Sequence, residues 1–490
     1  MLCRGKLKNY NLANEVNTLN VKVLSFIKNM SYTISSNLIS LIVSTLIVLV
    51  VPKLIGVTEY GYWQLYLFYT SYVGFLHFGW NDGIYLRYGG ENYSNLNKKL
   101  FYSQYISILF FQLIIGSFLF LIVNIFGQDP NRIFIFRMIA FSLVIINVRT
   151  FFLYVLQATN RIKEYAQVTL IDRVIYIILI LILISLNIRD FRVMIIADVV
   201  SRFISLAYSL YTCKEIAYNR ITTYKLSFKE TATNINVGIK LMFANIAGNL
   251  IIGAVRFGIE RTWDVTTFGK VSLTLSLSNM LMIFINAIGI IMFPILRRTN
   301  MEKLGGIYTT LRDFLMIFLL GILALYYPLK TVMVMWLPQY AESLLYMALV
   351  FPIFIYEGKM ALLINTYLKT LRREKMLLRI NLISMALSLL MTYVTTRIFN
   401  NLNIAVVTIV ILLAIRSAMA EMYLSKELSI KVKKDIVLEV LLTIVFILTG
   451  WFVNSWMTMI IYGIVYFIYL MIKRKDITGT IQNIKLLMKA

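Results

Sequence analysis

FYSQYISILFFQLIIGSFLFLIVNIF, residues 101–126, carries no charged side chain. At a rise of about 1.5 Å per residue such a run crosses the hydrocarbon core of a bilayer, which takes about 20 residues of helix. In hydrocarbon each backbone N–H and C=O must be satisfied within the protein, and a helix does this inside a single segment. Runs of the same kind recur on both sides. Upstream they cover 31–51 and 62–80. Downstream they cover 133–158, 168–187, 193–213, 237–259, 268–293, 310–327, 341–365, 377–398, 403–424, 436–453 and 456–472. The predicted fold is therefore all-α and integral to the membrane, with about fourteen transmembrane helices. Composition agrees: 59% of residues are hydrophobic and 14% charged, where a soluble domain carries about a quarter charged. The alternating pattern of an outer-membrane barrel is absent from the sequence.

Orientation follows from the basic residues between the runs. One set of alternate loops holds Lys98, Lys99, Arg161, Lys163, Lys214, Lys225, Arg297, Arg298, Arg372, Arg373, Lys433 and Lys434. The other holds far fewer, among them Lys53, Arg132, Arg189, Arg261 and Lys330. Lys and Arg accumulate on the cytoplasmic side, so both termini are expected inside. The organisation predicted is a cytoplasmic amino-terminal segment over 1–30 and a six-helix bundle over 31–213. A basic cytoplasmic linker over 214–236 joins it to a second six-helix bundle over 237–424, and two last helices and a cytoplasmic tail fill 425–490. No cleavable signal peptide is expected in the polar, basic start of the chain.

The formal net charge of +25 does not point to nucleic acid, because the basic residues are dispersed in short gaps and form no basic domain. His77 is the single histidine, and the two cysteines, Cys3 and Cys213, have no ligand spacing. No metal site and no cofactor are expected.

Ionisable residues inside spans are costly and face a cavity or a partner. They are Arg149, Asp172, Arg173, Asp198, Arg202, Lys240, Arg256, Lys270, Glu357, Lys359, Arg416 and Glu421. Bases outnumber acids, so a cavity they line would be electropositive and suited to a phosphate or pyrophosphate. Asp198 and Arg202, four apart, are expected to pair within one helix. Lys240, Lys270 and Glu421 lie toward span ends, where a long side chain reaches the interface. Arg149 lies mid-span with no acid within one turn. Arg256 continues a polar stripe from Asn245 and Asn249, and Asn279 and Asn286 lie one heptad apart on the eighth run. The cavity bases read from the sequence are Arg149, Arg256, Arg416, Lys240 and Lys359, and the candidates for ion coupling are Glu357 and Asp198. For His77 a packed, neutral side chain is favoured over a proton switch. Pro352, inside the tenth run, predicts a kink.

Three stretches carry a family resemblance. Residues 52–90 read PKLIGVTEYGYWQLYLFYTSYVGFLHFGWNDGIYLRYGG, residues 245–298 end in TFGKVSLTLSLSNMLMIFINAIGIIMFPILRR, and residues 156–176 read LQATNRIKEYAQVTLIDRVIY. Together they resemble the polysaccharide-export (Wzx-type) branch of the MOP flippase superfamily. The halves also echo each other, IGVTEYGYWQLY at 55–66 against WDVTTFGKVSLT at 263–274, as in transporters built from repeated bundles. The resemblance implies a transporter in the bacterial cytoplasmic (inner) membrane, not an enzyme. It would move undecaprenyl-pyrophosphate-linked oligosaccharide repeat units to the outer leaflet, by ion-coupled alternating access. Its expected partners are that lipid-linked oligosaccharide, membrane lipid, and a polysaccharide polymerase or ligase. Many members carry an Asp in the seventh span; here Val255 occupies that place in AVRFGIE, so a coupling role for that Asp does not transfer. Rival readings are a lipid II flippase, a multidrug antiporter of the same superfamily and a membrane polysaccharide polymerase. The antiporter would want more buried acid than base, and the polymerase a large outer loop that the short connections do not supply.

Overall fold

The computed structural model describes residues 38–220, 222, 224–297, 301–453 and 455–479; the side chains of 281, 283, 284, 286–297 and 301 fall outside that description. The predicted segment 1–30, Cys3 and the side chains of Asn286 and Arg297 therefore lie outside the described residues.

The described chain is helical. In the first half run α1 (Leu38–Leu54), α2 (Val57–Val73), α3 (Trp80–Arg87), α4 (Lys98–Phe126), α5 (Pro130–Ala158), α6 (Ile162–Ser185), α7 (Phe191–Thr212) and the single turn α8 (Lys214–Ala217). The second half runs α9 (Phe228–Thr262), α10 (Val265–Arg297), α11 (Met301–Ile322), α12 (Tyr326–Trp336), α13 (Met347–Val350), α14 (Ile353–Lys359), α15 (Asn365–Thr370), α16 (Glu374–Tyr393) and α17 (Leu402–Glu427). Helices α18 (Lys433–Leu448) and α19 (Met457–Ile472) close it. Among the described residues ten helical segments are long and apolar enough to cross a membrane, and Leu38–Leu54 and Met457–Ile472 are shorter apolar helices. Large apolar side chains lie on the outside, as on α4, where Leu113, Ile114, Phe118, Leu121 and Ile125 are all exposed. In water such a surface would associate; in hydrocarbon it is solvated. The protein is a multi-pass membrane protein.

Helix starts follow local chemistry. Asn97, Asp129, Asp190 and Asn401 each accept a backbone N–H of the helix they open, satisfying a donor that has no partner within the helix. Ser227 does the same for Glu230 at the head of α9, three residues on. Asn160, Asn187 and Asn400 end helices with positive φ, where asparagine is tolerated better than branched residues.

Two breaks shape the interior. The sequence predicts one continuous helix over 62–80; the structure stops α2 at Val73 and restarts at Trp80, with Phe78 at φ 51° and Gly79 at φ 81°. The reason is packing against the other half. A Cβ on Gly79 or on Gly83 would overlap the backbone of α9 at Ile239 and Asn234, and one on Gly238 would overlap Gly79. The second break is at Pro352, as expected. The segment Ser343–Thr370 is divided into α13, α14, a π-helical turn over Met360–Ile364 and α15. Its most apolar window is 89% buried, so it runs through the centre of the second half rather than along the lipid.

The halves meet along a seam that is closed at two ends. At one end α2 packs on α10. Thr58 and Thr266 share a hydroxyl–hydroxyl hydrogen bond of 3.1 Å, and a Cβ on Gly61 or Gly269 would overlap the facing backbone. Glu260, buried at the end of α9, accepts from Tyr69 of α2 at 2.9 Å and pairs with Arg132 of α5. At the opposite end α3 packs on α9, and Arg87 donates to Glu230 at 2.6 Å and to Asn234 at 2.5 Å. Tyr88 adds a third contact, to Glu230, at 3.0 Å.

Candidate substrate cavity

A cavity of about 400 Å³ opens among α9, α10 and α14 to α17. This is inside the 300–1,000 Å³ range of sites for small ligands. Its wall holds the carboxamides of Asn245, Asn249, Asn279, Asn365 and Asn381, with Glu357, Lys369, Glu374 and Arg416. Helical spacing makes the first part: Asn245, Asn249 and Ile252 follow at steps of four and three and share one face of α9. Arg416 of α17 is fixed by two neighbours. It donates through Nη1 to Glu357 Oε1 at 2.9 Å and through Nε to Asn381 Oδ1 at 3.0 Å. Asn381 Nδ2 in turn donates to the Ala244 carbonyl at 3.2 Å, which ties α16 to α9. A Cβ on Gly248 would stand 3.4 Å from Asn381 Nδ2 and 3.5 Å from Arg416 Nη2, in ordinary van der Waals contact with both. The buried Oδ1 of Asn365 has no hydrogen-bond partner among the described residues.

Of the residues read from the sequence, the structure brings Arg416 and Glu357 together in this wall, with Asn245, Asn249 and Asn279. Arg256 does not line it but lies four residues beyond Ile252 on the same face of α9, at the seam. Its Nη2 donates to Ser272 Oγ at 3.0 Å, and its guanidinium lies 4.8 Å from the Phe68 ring of the first half and 5.4 Å from the Phe268 ring. Among the described residues it forms no ion pair, and its buried Nε has no partner.

Arg149 is elsewhere. In the first half it donates to Asp172 of α6 at 2.9 Å and to Ser205 of α7 at 3.2 Å. The acid missing within one turn is supplied by the neighbouring helix. Asp198 pairs with Arg202 at 2.7 Å, as the spacing predicts, and accepts from Tyr66 at 2.6 Å. Lys240 is exposed on α9. Lys359, facing away from Glu357, is 1% exposed in a cluster of charges that extends through Arg312 to Asp313, Asp435 and Lys473. It donates to Glu421 at 2.7 Å and to Glu439 at 2.5 Å, and Arg312 pairs with both of those carboxylates. Glu421, expected near an interface, is fully buried because two bases on other helices hold it. His77 is packed; its Nδ1 accepts from Gly79 N at 3.0 Å.

The sequence reading missed Arg312 and Glu439, and in the cavity Asn365, Asn381, Lys369 and Glu374. The signal for the first two was present, as charges inside the ninth and thirteenth apolar runs. Uncharged carboxamides stand out less from an apolar run.

No family model matches the chain, and no curated protein matches it. Solved structures do. The inward-facing conformation of a multidrug resistance MATE family transporter of the MOP superfamily aligns at TM-score 0.62, with 11% identity, over 80% of this chain and 98% of that one. An inward closed conformation of the lipid II flippase MurJ aligns at 0.61, with 13% identity, over 92% of this chain and 100% of that one. MATE in its straight conformation aligns at 0.54, with 12% identity, over 83% and 96%. The chain has the fold of these MOP superfamily transporters over most of its length.

Proposed function

We propose that the protein is a flippase with fourteen spans and both termini in the cytoplasm, which carries a lipid-linked oligosaccharide across a bacterial cytoplasmic membrane. The observation that carries this reading is the polar face of α9, which runs from the asparagines of the cavity to Arg256 at the seam. A charged, hydroxylated headgroup loses several kcal/mol for each polar group left unsatisfied in hydrocarbon. Arg256 and the carboxamides running from it along α9 offer such groups partners, while the lipid tail stays in the bilayer. The likeness to a lipid II flippase over 92% of the chain supports the same class, and the motifs at 52–90 and 245–298 support the polysaccharide-export branch. A polymerase or ligase in the same membrane would use the product.

In this reading Arg256 contacts the pyrophosphate. It is a guanidinium at the seam with no acid beside it among the described residues, held by two rings and one hydroxyl. Arg149, Arg416 and Lys359 already have carboxylate partners and position the helices that line the path. Glu357 and Asp198 remain the coupling candidates, one in the cavity wall and one in the first half. With the amino terminus inside, the Thr58–Thr266 end of the seam faces outward and the Arg87–Glu230 end faces the cytoplasm. Opening them in turn gives alternating access. A multidrug antiporter fits less well, because the cavity wall holds as many bases as acids.

The test is a strain lacking the protein. Lipid-linked repeat units should accumulate on the inner leaflet and surface polysaccharide should fall, both restored by the wild-type chain and not by Arg256→Gln. Single repeat units that still reach the outer leaflet would instead make the protein part of a polymerising or ligating step.

A further inference from the structure

The cavity beside Arg416 has a chemistry of its own. Its charges cancel: Arg416 is bound to Glu357 at 2.9 Å, and the other two ionic groups in the wall are one base and one acid, Lys369 and Glu374. A site for a pyrophosphate presents unneutralised cations. This wall presents five carboxamides, each with two N–H donors and one carbonyl acceptor. Such groups match ligands that both donate and accept at many points without carrying charge, which describes hydroxyl and acetamido groups.

We infer that this cavity holds the neutral sugar moiety of the transported molecule, and that the phosphate group binds outside it, at Arg256. The inference rests on the flippase reading for the identity of the larger molecule. One observation besides the lining supports it. The Asn365 Oδ1 atom is buried and lacks a partner among the described residues, an acceptor for which a ligand hydroxyl is a fitting donor. Geometry joins the two subsites. Asn245, Asn249, Ile252 and Arg256 form one face of α9, and Asn245 to Arg256 spans about 16 Å at the helical rise. A headgroup laid along that face would put its sugar among the asparagines and its phosphates at the arginine.

The experiment uses the full-length protein in lipid nanodiscs, free of sugar detergents, with saturation-transfer NMR. The probes are N,N′-diacetylchitobiose, a glucose disaccharide, a glucuronate-containing disaccharide and inorganic pyrophosphate, the last followed by phosphorus NMR. At least one neutral disaccharide should bind. Asn245→Leu and Asn365→Leu should each weaken it by about tenfold, the scale of one or two lost hydrogen bonds, with melting temperature confirming the fold. Pyrophosphate should bind, fail to displace the sugar, and be lost in Arg256→Gln. Sugars that do not bind, that bind both leucine variants as well as wild type, or that are displaced by a pyrophosphate held through Arg416, would each overturn the inference. Translocation without sugar binding would sink this site and leave the flippase reading standing. Sugar binding without translocation would do the reverse.

Discussion

Thr58 and Thr266 meet hydroxyl to hydroxyl at 3.1 Å across the seam between the two halves of the chain, 208 residues apart in sequence. Gly61 and Gly269, three residues further on in each half, meet there as well. Equivalent positions of the repeated stretches IGVTEYGYWQLY and WDVTTFGKVSLT thus face one another. That is what a two-fold relation between the bundles produces at its axis. If this end opens during transport, tying it shut stops the cycle. Thr58→Cys with Thr266→Cys, joined by a disulfide or a short bis-alkylating linker, should abolish translocation, and reduction of the disulfide should restore it. Undiminished translocation by the cross-linked protein would show that this end stays closed throughout.

The other end of the seam is as tight. A Cβ on Gly83 would overlap the Asn234 carbonyl, so Gly83→Val must push α3 away from α9. The variant should label faster at an Asn234→Cys probe with a membrane-impermeant maleimide added from the cytoplasmic side. Equal labelling would mean that the contact relaxes without opening.

Buried pairs separate stability from transport. Arg149→Ala leaves Asp172 without its guanidinium in a low-dielectric interior. The expected cost is about 3–5 kcal/mol, and much of it should return in the double variant Arg149→Ala, Asp172→Ala. Arg256→Gln breaks no ion pair among the described residues; it should melt close to wild type and lose translocation. If Arg256→Gln unfolds the protein, or Arg149→Ala leaves its stability unchanged, these roles are wrongly assigned.

The charge cluster around Lys359 and Arg312 gives a third contrast. Glu439→Ala leaves Lys359 with one carboxylate, Glu421, and takes from Arg312 one of the acids around it, which also include Asp313, Glu421 and Asp435; it should destabilise by about 3–5 kcal/mol. Lys359→Met combined with Glu439→Met removes one base and one acid together and leaves Arg312 with Glu421 at 2.5 Å, beside Asp313, Asp435 and Lys473. The double variant should melt above Glu439→Ala. Costs that simply add would show that Lys359 and Glu439 do not act together.

The membrane class was plain in the sequence because hydropathy and length act on every residue of runs such as 101–126. The Asp198–Arg202 pair was legible for a similar reason: its partners share a helix, and spacing alone decides it. The partner of Arg149 was not, since Asp172 comes from the next helix and its approach depends on interhelical packing. The same holds for Glu421, placed near an interface by its position and buried by bases on α11 and α14. The break at 74–79 escaped because its cause, the backbone of α9 against Gly79 and Gly83, lies far away in sequence. The asparagine stripe on α9 was visible; the facing Asn365 and Asn381 became part of a site only once α15 and α16 were placed beside it.

The most direct test of the account is translocation by the purified protein in liposomes. A fluorescent undecaprenyl-pyrophosphate oligosaccharide would be enclosed on the inner leaflet and its arrival outside read by an impermeant quencher. The account predicts protein-dependent arrival, abolished in Arg256→Gln and in the protein cross-linked between positions 58 and 266. Arrival no faster than in empty liposomes, or unaffected by both changes, would contradict it.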